Sequence, residues 1–148
     1  MMIHVPHILR AGLLASAVAF AGCSMTPAAS NTAVLGATLS SAAEVPPNAS
    51  PATGKVDATF DKGTSVLRWT LSYSGLTGPA SAAHFHGPAL PGANAGVAVP
   101  FTSAASPSDG QATLTPAQVA DLMAGKWYVN VHTAANPGGE IRGQVMPK

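Results

Sequence analysis

Between Lys55 and Ser74, apolar and polar residues alternate with a period of two, and a single turn interrupts the alternation. Val56, Ala58 and Phe60 fall on one side of an extended chain, with Asp57, Thr59 and Asp61 on the other. Asp61-Lys62-Gly63 supplies turn chemistry. From Ser65 to Ser74, Leu67, Trp69, Leu71 and Tyr73 point back to the apolar side, and Arg68, Thr70 and Ser72 point away. A helix cannot bury such a pattern, because its faces recur about every 3.6 residues. The stretch predicts an antiparallel hairpin with one face on a core.

The rest of the chain repeats this motif in shorter pieces. Extended runs are predicted at Ala33–Ser41, Ser81–His86, Val97–Phe101, Gly110–Leu114, Trp127–His132 and Glu140–Val145. In "WYVNVH", Trp127, Val129 and Val131 share one face, and Tyr128, Asn130 and His132 the other. Glu44–Thr53 carries Pro46, Pro47 and Pro51 and cannot be a central strand. Gly87–Gly96, "GPALPGANAG", reads as a loop. One segment departs from the period. Thr115 suits an N-cap, Pro116 the first helical position and Gln118 a capping box. Val119, Leu122 and Met123 follow at helical spacing, and Gly125 can end the turn. The spacing predicts one short helix near 116–124, a connector covering one end of the sheets. Seven or eight short strands with one helix predict an all-β fold, an antiparallel Greek-key β-sandwich or barrel.

The N-terminus carries a different signal. Met1–Arg10 is basic without an acid, and "AGLLASAVAFAG" (residues 11–22) is apolar with small residues at its end. That is the layout of a secretory signal. The run falls short of the ~20 apolar residues of a membrane-spanning helix. It ends on Cys23, the only cysteine, and "FAGC" resembles the bacterial lipobox, with Phe20 where an aliphatic residue is usual. The expectation is a signal peptide over 1–22, lipidation at Cys23, a flexible tether over 23–32 and one domain over 33–148. An ordinary secretory signal that happens to contain a cysteine is the alternative. Residues 23–148 balance six cations against six anions, with no basic run, so nucleic acid is excluded as a partner. Once Cys23 is lipidated, no thiol remains for a disulfide or a nucleophile.

Three histidines lie in the domain: His84, His86 and His132. Alternate strand residues point to the same side about 6.6 Å apart, so His84 and His86 can converge on one ion while Phe85 enters the core. His132 ends a later strand and joins them if the two strands are neighbours. Such a set suits Cu(II) or Zn(II), bound at ~2.0–2.1 Å for zinc. The alternative is three polar residues that hydrogen-bond nearby carbonyls. Arg142, after the turn Pro137-Gly138-Gly139, is read either as an exposed ion-pair partner of Glu44, Glu140 or another carboxylate, or as a cation guiding a small anion to a metal. There is no Gly-x-Ser-x-Gly elbow and no phosphate loop, and the six carboxylates are dispersed rather than paired.

Three blocks, "LSSAAEVPPNASPATGKVDATF", "AAHFHGPALPGANAGVAV" and "LMAGKWYVNVHTAANPGGEIRGQV", resemble in order those of the CHRD (chordin-type) domain, from about Val34 to Met146. The resemblance implies a secreted or surface β-sandwich and names no reaction. "HFH", then "VNVH", then a glycine turn before Arg142 also resembles the order in copper–zinc superoxide dismutases. That likeness implies a superoxide-dismutase-like sandwich (an immunoglobulin-like one being the other option), copper ligands at His84, His86 and His132, and Arg142 as anion guide. The domain lacks a fourth histidine to bridge a zinc, a zinc-ligand cluster and the disulfide cysteines. The expectation is therefore a lipid-anchored module of the bacterial cell envelope, periplasmic or surface-facing, that binds copper without catalysis. Its rivals are a copper-only superoxide dismutase and a structural or adhesive domain without metal. Ser24 after Cys23 is compatible with outer-membrane sorting.

Overall fold

The computed structural model describes residues 1–2 and 30–148. Residues 3–22 of the expected signal peptide, Cys23 and most of the expected tether fall outside the described residues. Eight strands follow: β1 Thr32–Ser40, β2 Thr53–Asp61, β3 Val66–Ser74, β4 Ala80–His86, β5 Val97–Pro100, β6 Ser108–Thr113, β7 Trp127–Thr133 and β8 Ile141–Pro147. A 3-10 turn at Ser41–Ala43 follows β1, and one helix, α1, spans Pro116–Met123. The strands form one antiparallel sheet in the order β5-β4-β7-β8-β1-β2-β3-β6, which curls into a nearly closed barrel. Strands distant in sequence lie side by side, as in β1 with β8, β3 with β6 and β4 with β7. No helix of the described residues is long and apolar enough to cross a membrane.

The hairpin that dominates the sequence forms as expected. β2 and β3 pair from Thr53↔Ser74 to Asp61↔Val66. Asp61 Oδ1 closes the turn by accepting from the Gly63 and Thr64 amides at 2.8 and 3.0 Å. Val56, Ala58, Phe60, Leu67, Trp69 and Leu71 enter the core, where they meet Phe85, Trp127, Val129, Val131, Ile141 and Val145. Trp69 packs edge-on against Phe85 with ring centroids 5.0 Å apart.

Most boundaries lie one or two residues from expectation, as β6, α1 and β8 illustrate. β6 begins at Ser108, because pairing with β3 extends to Leu71↔Ser108. α1 ends at Met123, with both halves of the Thr115–Gln118 capping box formed and Gly125 beyond it at φ +68°. β8 begins at Ile141, where its register with β7 begins at Val131↔Ile141.

The polar side of β7 is also not a solvent face. Tyr128 and Asn130 are as buried as the core side of the strand. Their cover consists of two loops without periodicity, residues 44–52 and the 87–96 loop.

Candidate metal centre

The centre is built on β4 and β7, which are hydrogen-bonded neighbours in the register Ala82↔His132, His84↔Asn130 and His86↔Tyr128. Alternation puts His84 and His86 on one face of β4, with Phe85 in the core on the other. The antiparallel register then sets His132 diagonally from His84. His84 Nδ1 lies 3.2 Å from His132 Nε2. One ligand nitrogen from each of His84, His86 and His132 lies within 4.8 Å of the other two. Three atoms so spaced have a common centre within about 2.8 Å of each (4.8/√3). Bonds of ~2.0–2.1 Å therefore need inward shifts below about 1 Å.

The far side of two rings is already committed. His86 Nδ1 lies 3.0 Å from the Ala95 carbonyl oxygen, and His132 Nδ1 2.9 Å from that of Pro137. A carbonyl only accepts, so each Nδ1 carries the hydrogen and each neutral ring presents a bare Nε2. This is the usual outer arrangement of metal-ligating histidines. His86 Nε2 is buried and has no hydrogen-bond partner. An orphaned buried ring nitrogen, on a histidine grouped with two others within 4.8 Å, is the observation that fits an ion. Burial lowers the pKa of His84 below its usual range, and the neighbouring His132 and His86 push it the same way. His86 is lowered by burial too, against an opposing hydrogen bond to Ala95. Both effects favour the neutral, ligating form.

Arg142 is neither an exposed ion-pair partner nor a solvent-facing guide for anions. It is 2% exposed. Its Nη2 donates to the Ala93 carbonyl at 2.7 Å and its Nη1 to Asn94 Oδ1 at 2.9 Å. Its guanidinium carbon lies 3.4 Å from the Tyr128 ring centroid. It forms no salt bridge within 4.0 Å among the described residues. The cause is topological: Arg142 pairs with Asn130 on β7 and Ser40 on β1, and the 87–96 loop folds over that row.

The residues missed in the sequence share this covered face. Glu44 is buried beside Asn130; burial raises its pKa, against the lowering effect of Arg142, and its Oε1 has no partner. Asn130 stands beside His86 as well. Period two in "WYVNVH" already put Asn130 and Tyr128 on the histidine side, which was the available signal. Nothing in the sequence places Glu44 there. Gly139, at φ +134°, admits it: a Cβ at that position would overlap the Glu44 carboxylate.

Glu140 clamps the surroundings. Its carboxylate accepts from Ser50 Oγ (2.6 Å), the Thr77 amide and hydroxyl (2.8 Å each) and Thr133 Oγ1 (2.6 Å). Burial alone would raise its pKa, but these hydrogen bonds outweigh it and hold the carboxyl at about 2. A surface groove of about 730 Å³ along β2, β3 and β6 contains none of the histidines.

No curated protein and no solved structure matches the chain. The family model of the CHRD domain does match, over residues 35–145, which takes in every strand that builds the histidine cluster. On that match, the chain belongs to the CHRD domain family.

Proposed function

We propose that this CHRD-domain chain is a binding module of the bacterial cell envelope, anchored through a lipid on Cys23, that takes up a transition-metal ion, copper, at His84, His86 and His132. One observation carries the reading. Two backbone carbonyls fix the hydrogens of His86 and His132 on Nδ1, leaving Nε2 of each ring bare, and one ring nitrogen from each of the three histidines lies within 4.8 Å of the others. Three imidazole nitrogens suit copper and zinc, and copper heads the affinity order of the divalent ions. Binding is favoured over superoxide disproportionation because Arg142 is held under a loop.

The test is the metal content of protein purified from its native envelope, joined to Cu(II) and Zn(II) titrations of the purified chain. One equivalent of copper bound in preference to zinc is the expected result. Absence of both metals with no uptake would sink the reading. Superoxide consumption by the copper-loaded protein above that of free copper would replace the binding module with the enzyme.

A further inference from the structure

We infer that Arg142 is a positioning residue for His86, fixing the orientation and tautomer of the imidazole whose buried Nε2 has no partner. The inference rests on the proposed metal centre for its purpose, but not for its geometry.

The 87–96 loop has no regular structure and depends on specific anchors. Its ends are tied by Gly87 N to Gly96 O at 3.3 Å and by Ala89 N to Lys126 O at 2.8 Å. Ala95, near its far end, supplies the carbonyl that holds His86 Nδ1. The two residues directly before it are those that Arg142 grips, through Ala93 O and Asn94 Oδ1. Asn94 in turn donates to the Val45 carbonyl at 3.1 Å, joining the loop to the segment that carries Glu44. Arg142 thus holds the peptide units that aim the Ala95 carbonyl at the imidazole.

A second route reaches the same ring. The Tyr128 ring stacks on His86 at 4.8 Å between centroids, with the planes 4° from parallel. Arg142 lies against the Tyr128 ring at 3.4 Å, the distance of a close cation–π contact. The Tyr128 hydroxyl also meets the Ala95 amide and carbonyl, at 3.2 and 3.3 Å. Guanidinium, phenol and imidazole therefore form a chain of contacts that opposes rotation of His86. Arg142 has a rigid base, since β8 is paired on both sides, with β7 and β1. A lysine could make one of the two loop hydrogen bonds but offers no flat surface to the ring.

The experiment uses the full chain with ¹⁵N-labelled histidine, read by long-range ¹H–¹⁵N NMR, and a competition titration with Cu(II). In the unmodified protein, His86 and His132 are both Nδ1–H. In Arg142→Gln, His86 becomes a mixture of tautomers. His132, held independently by Pro137, does not change and serves as the internal control. Cu(II) affinity falls ~10–100-fold, the usual effect of losing an outer-shell partner, and the EPR spectrum of the bound ion changes. Arg142→Lys recovers part of the loss. A folded Arg142→Gln protein with an unchanged His86 tautomer and unchanged Cu(II) affinity overturns the inference. If Arg142→Gln does not fold, Asn94→Ala decides. Asn94 is exposed and contributes one of the two loop bonds, so the same shift is expected at smaller amplitude. An unchanged His86 tautomer in folded Asn94→Ala overturns the inference. Unmodified protein that takes up no Cu(II) sinks the metal reading instead, and the tautomer comparison still decides the role of Arg142.

Discussion

His84 Nδ1 and His132 Nε2 stand 3.2 Å apart across the β4–β7 pair, and the Pro137 carbonyl has already claimed the hydrogen of His132. With His132 Nε2 bare, either the hydrogen of His84 Nδ1 or an ion belongs between the two nitrogens. The residues concerned lie on the outer face of the sheet, while Ala83, Phe85 and Val131 face the core. Replacing His84, His86 and His132 together with alanine should therefore abolish copper binding and leave the fold intact. Calorimetric titration reads the first and circular dichroism the second. Copper bound with undiminished affinity by the folded triple variant would show that the site lies elsewhere.

Glu140 predicts an acid limit to stability. Its folded pKa of about 2 lies below the ordinary 4.5. A depressed carboxyl contributes stability that is complete above the unfolded value and disappears as pH falls from about 4.5 towards 2. The difference corresponds to roughly 3 kcal/mol. Glu140→Gln should lose about that much in urea unfolding at pH 7 and converge on the unmodified protein near pH 2. A gap between the two proteins that does not change with pH would remove the carboxylate as its cause.

The strands were legible because each has one face on the core, and period two records that directly. Phe60, Trp69 and Val129 are buried where the alternation puts them. The histidines were legible by the same rule, since His84 and His86 share a face by parity alone. Their meeting with His132 was not, because strand adjacency depends on long crossings that leave no local pattern. The burial of Arg142 was not legible for a related reason. Alternation places it correctly off the core, but whether that face meets water is decided by the 87–96 loop, whose "GPALPGANAG" has turn chemistry and no periodicity. Glu44 entered the site through a proline-rich segment, read only as an obstacle to strand formation.

The seam between β1 and β8 makes a prediction about backbone proximity. A Cβ on Gly143 would overlap the carbonyl group of Thr38 on β1, which cannot move as a side-chain end can. Gly143→Ala should destabilise the domain by ~2 kcal/mol or more, in the range of core overpacking. Gly138→Ala is the control, since nothing lies within 4 Å of a Cβ there, and its effect should stay within ~0.5 kcal/mol. Thermal unfolding of both variants tests the pair. Equal melting temperatures would mean that the strands separate freely at Gly143.

Cys23 carries the anchor in the proposed function. Cys23→Ser removes the only thiol and should leave the precursor without acyl chains and free of the membrane fraction. Growth with radioactive palmitate, followed by gel analysis, reads this directly. Label that persists on the serine variant would mean that the lipobox reading is wrong and that the signal is an ordinary secretory one.

Glu44 predicts the opposite pH behaviour from Glu140. Burial raises its folded pKa above 4.5 despite Arg142 nearby. A raised carboxyl favours the folded state below the unfolded value, and that contribution is lost as pH rises through the folded value. At neutral pH the protein therefore carries the cost of a buried carboxylate with an unpartnered Oε1. Glu44→Gln removes the charge, keeps the shape and offers Asn130 an amide. It should melt above the unmodified protein at pH 7, with the advantage shrinking as pH falls through the folded value towards about 4.5. A lower melting temperature at pH 7 would mean instead that the charge on Glu44 is needed beside Arg142. Glu44 would then belong to the group of residues that holds the loop over His86.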